Sequence, residues 1–142
     1  MHRRLLFVLA ITATLGLVAG ALAKTNNLTG KFQGDANSSI SLDVKLSAKG
    51  KPKKITGGDF AHVDLVCNDG SLAEAEGDLA AMALKKQGSS YSFKLGSLSS
   101  DFLLHGTLDK KGKKAEGGVT IVIHQGEHPP CIADNSAFAA SK

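Results

Sequence analysis

Four residues of this 142-residue chain have the types that a metal or acid–base site needs: His62, Asp64, His124 and His128. His62 and Asp64 stand two apart in a stretch of alternating polarity, and a strand presents such residues to the same side. His124 and His128 follow the most β-branched run of the chain, Val119-Thr120-Ile121-Val122-Ile123. Imidazoles with a carboxylate would suit zinc or copper, and would supply a hydrolytic base, if these segments converged. The bland alternative is scattered histidines on strand surfaces, and no His-Glu-x-x-His spacing opposes it. No Gly-x-Ser-x-Gly elbow marks a serine nucleophile. Glu74, Glu76 and Asp78 are close in sequence and read as a solvated face or turn, not as two carboxylates facing each other across a cleft.

Lysine is the other charged residue with a pattern. Lys49, Lys51, Lys53 and Lys54 form one cluster, and Lys110, Lys111, Lys113 and Lys114 a second. Both fall at turn compositions, where lysines keep hairpin tips and sheet edges soluble. They also suit contact with an anionic surface, such as lipid headgroups or cell-wall polymers. Nucleic acid is disfavoured, because single-strand sites add stacking aromatics to their basic residues. The chain has no Trp and one Tyr, and its arginines, Arg3 and Arg4, lie at its start. The lack of Trp also speaks against a sugar-stacking platform.

That start reads as an export signal. Met1-His2-Arg3-Arg4 is basic, Leu5 to Gly20 carries no charge, and Ala21-Leu22-Ala23 has small residues at the two positions a signal peptidase reads. The polar run Lys24-Thr25-Asn26-Asn27 follows at once, so cleavage after Ala23 is the reading, with an uncleaved membrane anchor as the alternative. Removing residues 1–23 from 142 leaves 119, one domain of chain with no membrane span. The two arginines leave with the signal, so 17 basic residues become 15, all lysine, against 13 acidic ones, a net +2 that says little about partners. Cys67 and Cys131 are the only cysteines, and an even count in an exported protein reads as a disulfide. No Cys-x-x-Cys pair favours a metal or redox site.

The elements that must position these residues are strands. Ile40, Leu42, Val44 and Leu46 alternate with Ser41, Asp43 and Lys45, which predicts a half-buried strand over Ser39–Ser47. A shorter strand, Leu28–Gln33, precedes it, and Lys49-Gly50-Lys51-Pro52-Lys53 follows as a hairpin tip. A further strand runs from Lys54 to Cys67, with Gly57-Gly58 as a bulge or kink, and Asn68-Asp69-Gly70 turns the chain. Ser71–Gln87 is ambiguous: Ala, Glu, Leu and Lys favour a helix capped at Ser71 and ended at Gly88, while Gly77-Asp78 and the neighbouring strands favour a strand over Leu79–Lys85. Tyr91, Phe93 and Leu95 alternate with polar residues, Phe102–Leu108 follows, and Ala115–His124 forms a long strand. Glu127-His128-Pro129-Pro130 is expected to be loop, since proline cannot donate to a ladder. Phe138 and Ala140 end the chain in a last strand.

The order of landmarks resembles uncharacterised secreted bacterial β-sandwich proteins, frequent in actinobacteria. The matching positions are Gly30-Lys31-Phe32-Gln33-Gly34, Cys67-Asn68-Asp69-Gly70, Gly106-Thr107-Leu108, Gly117-Gly118-Val119, Cys131 and Phe138-Ala139-Ala140. Phe138 departs from that group, where the terminal aromatic is often Trp. The resemblance implies the fold, a Cys67–Cys131 pairing and a strand at Leu79. It implies no activity.

These observations predict a secretory signal at 1–23, helical in form, followed by one all-β domain over 24–142. That domain is a small antiparallel sandwich or flattened barrel of about seven to eight strands. The functional expectation is an exported, non-catalytic domain acting by surface contact outside the cytoplasm, with no cofactor implied. The alternatives are a metal-dependent or hydrolytic enzyme using His62, Asp64, His124 and His128, and a small barrel that holds an apolar ligand.

Overall fold

The computed structural model describes residues 23–142, so the expected signal, except for Ala23, lies outside the described residues. Ten strands account for most of the rest: β1 Thr25–Phe32, β2 Ser39–Leu46, β3 Pro52–Cys67, β4 Leu72–Leu79, β5 Met82–Ala83, β6 Lys85–Gln87, β7 Ser90–Ser97, β8 Phe102–Leu108, β9 Lys114–Gln125 and β10 His128–Ser141. One 3₁₀ turn, Leu98–Ser100, joins β7 to β8, and no α-helix occurs among the described residues. The sheet is antiparallel throughout, in the order β4-β3-β2-β1-β10-β9-β8-β7-β6.

The sheet curls back on itself at β3. Its first half pairs with β2 on one side and with β5 on the other; its second half pairs with β4 and, at its very end, with the start of β10. Because β5 pairs with β3 while β6 pairs with β7, the short segment around Leu84 bridges the two ends of the strand order. A stack of Phe60 from β3 on Phe102 from β8, with ring centroids 5.7 Å apart, marks where opposite walls meet inside.

Alternation decides which residues face that interior. Ile40, Leu42, Val44 and Leu46 on β2 are buried, as their spacing predicts. A row across five strands shows how the walls are fitted: Phe93, Gly106, Gly117, Phe138 and Phe32 are successive register partners. A Cβ on Gly106 would lie 2.6 Å from the Phe93 ring, so the absent side chain is what admits that ring. At the other end of the row Phe138 meets Phe32 edge to face at 5.8 Å.

Three expectations change. The strands number ten, above the expected seven or eight, because the ambiguous stretch supplies three of them; the expected strand over Leu79–Lys85 is broken, since β4 ends at Leu79 and Ala80, Ala81 and Leu84 fall between the strands. β4 alternates Ala73, Ala75, Gly77 and Leu79 inward with Glu74, Glu76 and Asp78 outward, so period-two burial against β3 overrides local helix propensity. Pro129 and Pro130 are not loop but lie within β10; the ladder to β9 shifts register between His128 and Cys131, so neither proline has to donate.

Candidate functional site

The Cys67–Cys131 disulfide forms, joining directly opposed residues of β3 and β10. Ladder pairing between those strands is limited to Cys67–Cys131 and Val66–Ile132, so the covalent bond holds a junction that hydrogen bonds alone barely define. Both sulfurs face the core, with Cys131 fully buried.

The histidines do not gather into one centre. His62 sits at a bulge in β3, where the register shifts between Phe60 and Val63, and takes a left-handed φ of 54°. From there its Nδ1 reaches Glu74 Oε2 at 2.9 Å, and that hydrogen bond, with the carboxylate's charge, raises the imidazole pKa. His62, Glu74, Ala75 and Glu76 surround a shallow hollow of about 300 Å³. Asp64 is opposed to Glu74 across the β3–β4 ladder. His124 Nε2 pairs with Asp101 at 3.4 Å, and His128 is the register partner of Gln125 at the β9–β10 turn. Among the described residues no group of three or more His, Cys, Asp or Glu is placed to hold a metal ion. A fourth histidine that the sequence reading passed over, His105, contacts Asn135 Oδ1 at 3.1 Å on the outer face. Nothing in its flanking residues marks it, since the contact depends on a register shift in β10 between Ala133 and Ser136.

The lysines do gather. Three hairpin tips, β2–β3, β6–β7 and β8–β9, meet around a cavity of about 460 Å³ lined by Lys49, Lys51, Lys86, Lys110, Lys111 and Tyr91, with Gly and Ser backbone between them. Their approach is built in. A Cβ on Gly112, at φ +62°, would lie 3.0 Å from Leu46 and 3.1 Å from Pro52, so glycine lets the β8–β9 tip lie against the base of the β2–β3 tip. Buried Asn26 donates from Nδ2 to the Gly112 carbonyl at 2.8 Å, while its Oδ1 accepts from Lys142 Nζ at 3.1 Å. Asp109 closes the tip by accepting from the backbone amides of Lys113 at 2.6 Å, Lys114 at 2.9 Å and Lys111 at 3.3 Å. Burial pushes its carboxyl up, but these amide donors and the Lys111 charge outweigh it and leave the pKa lowered.

Of the eight lysines singled out from sequence, four line this cavity; Lys53, Lys54, Lys113 and Lys114 are exposed at the bases of the same hairpins. Lys86 was missed because its hairpin lies in the stretch where helix and strand signals competed. A second hollow, of about 890 Å³, spans β7 to β9 beside Leu84; Phe93, Gly106 and Gly117 line it together with Lys85, Lys94 and His105.

No helix among the described residues is long and apolar enough to cross a membrane. Comparisons with protein-family models, with curated proteins and with solved structures find no match for this chain.

Proposed function

We propose that the mature chain acts outside the cytoplasm as a non-catalytic domain that engages a surface or polymer of repeated anionic groups through its lysine pole. The observation that carries this reading is the convergence of five lysines from three separate hairpins on one cavity. Ammonium groups fixed around a hollow attract several anionic groups at once, and the ordered tips lower the entropy lost on contact. The disulfide is consistent with an oxidising compartment.

The test uses vesicles of phosphatidylglycerol and inorganic polyphosphate as probes, each at low and at physiological salt. Binding is expected to weaken with salt, and neutral phosphatidylcholine vesicles should stay unbound. Each lysine near an anionic surface contributes about 1 kcal/mol. Lys49→Gln with Lys110→Gln should therefore weaken binding roughly 30-fold. Salt-independent binding, or an unaffected double variant, would overturn the reading. The intact mass of the secreted protein should begin at Lys24; a mass retaining residues 1–23 would overturn the extracytoplasmic placement.

The hollow beside Leu84 favours a second reading, an apolar ligand with one anionic group set against Lys85, Lys94 and His105. Native mass spectrometry of protein from its own host should then show an added mass that is lost on denaturation, and a bare monomer would remove this reading.

A further inference from the structure

Sequence neighbours conceal an apolar stripe that the register assembles. Leu72 of β4 is the partner of Val66 on β3, Val66 of Ile132 on β10, and Ile132 of Val122 on β9. The four side chains form one outward row across four hydrogen-bonded strands, in strands whose intervening residues Ala73, Leu65, Cys67, Cys131 and Ala133 turn towards the core. Leu72 is 73% exposed, Val66 59% and Ile132 37%, while Val122 at the end of the row is half-buried. Scattered apolar residues on a surface need no explanation, but four aligned ones mark a contact surface.

The surroundings say what kind of partner would cover it. Within four residues of the stripe the chain carries Asp64, Asp69, Glu74, Glu76 and Asp134, no lysine, and His62, His124 and His128, of which His62 is paired with Glu74, although the mature chain is net basic. Asp64 and Glu74 are register partners beside the Val66–Leu72 pair. The Asp69 carboxyl, held low by hydrogen bonds from the Ser71 hydroxyl and amide, stays ionised across the physiological range. We propose that this face docks a cationic segment of another protein, one that lays apolar side chains on Leu72, Val66 and Ile132 and sets lysine or arginine against the flanking carboxylates. The disulfide beneath holds the two halves of the stripe, β4–β3 and β10–β9, in one surface. The site is independent of the lysine pole, whose residues come from the β2–β3, β6–β7 and β8–β9 tips.

The test is fluorescence anisotropy with a labelled peptide that combines lysine and leucine, and a counterpart with glutamate in place of lysine. The intact protein should bind the first and not the second. Leu72→Ser and Val66→Ser should each weaken binding about tenfold, as expected when one apolar contact is lost. Both replace exposed side chains, and unchanged thermal unfolding would confirm that they fold. The Lys49→Gln, Lys110→Gln variant should bind the peptide as the parent does, which separates failure here from failure of the anion reading. Equal binding of both peptides, or of the serine variants, would overturn the proposal. So would a dimer that forms with rising concentration and is lost in Leu72→Ser, which would make a second copy the occupant.

Discussion

Replacing Cys67 and Cys131 together by Ala should cost this fold about 4 kcal/mol, on the model in which a cross-link restricts the unfolded chain. The magnitude comes from a sequence separation of 64 residues between the two cysteines. A single replacement would leave a free thiol able to form intermolecular bonds, so the double variant is the clean perturbation. For a domain of this size about 4 kcal/mol corresponds to a fall in Tm of roughly 15 °C. The assay is thermal and urea unfolding followed by circular dichroism, for the parent, the reduced parent and the double variant. The local consequence is specific: only two ladder pairs join β3 to β10, so the amides around Val66 and Ile132 should lose hydrogen-exchange protection before those of β1 and β2. A loss below about 1 kcal/mol, or a uniform loss of protection, would refute the argument that the bond holds this junction.

Two further outcomes can be checked on the same material. Gly106→Val would place side-chain atoms against the Phe93 ring and the Glu116 carbonyl, 2.6 and 2.5 Å from the added Cβ, and should destabilise by about 2 kcal/mol in urea unfolding. The His62 pKa is raised by Glu74, so its contribution to stability is fully present below the unfolded value of about 6.5 and is lost as pH rises through the higher folded value. NMR titration of His62 should show that elevation in the parent and its disappearance in Glu74→Gln; an unchanged titration would remove the ion pair from the account.

Much of the strand pattern was legible because burial imposes a period of two, which puts residues two apart on the same face. Ser39–Leu46 and the second half of Pro52–Cys67 read directly, and the turns at Lys49–Lys51 and Asn68–Gly70 followed from glycine, asparagine and proline. Leu72–Leu79 was harder, since Ala and Glu favour a helix in isolation and only the neighbouring β3 ladder and the interior behind it make the alternation favourable. Pro129 and Pro130 misled for a related reason: a proline bars ladder donation but not extended backbone where the register skips it.

The histidines and lysines divide along the same line. The spacing of His62 and Asp64 predicts a shared side, and both are exposed, yet which carboxylate His62 meets was set by a bulge and by β4 beside it. The lysine clusters were visible as hairpin tips, but their convergence with Lys86 on one cavity depends on how the sheet curls. By itself the sequence determined the faces of β2 and of the second half of β3 and most of the turns, because these rest on neighbours a few residues apart, and it pointed to the disulfide because the chain holds only two cysteines. Only the tertiary structure decided the register that aligns Leu72, Val66, Ile132 and Val122 and the closure that gathers the lysines, because both arise from contacts between residues distant in the chain.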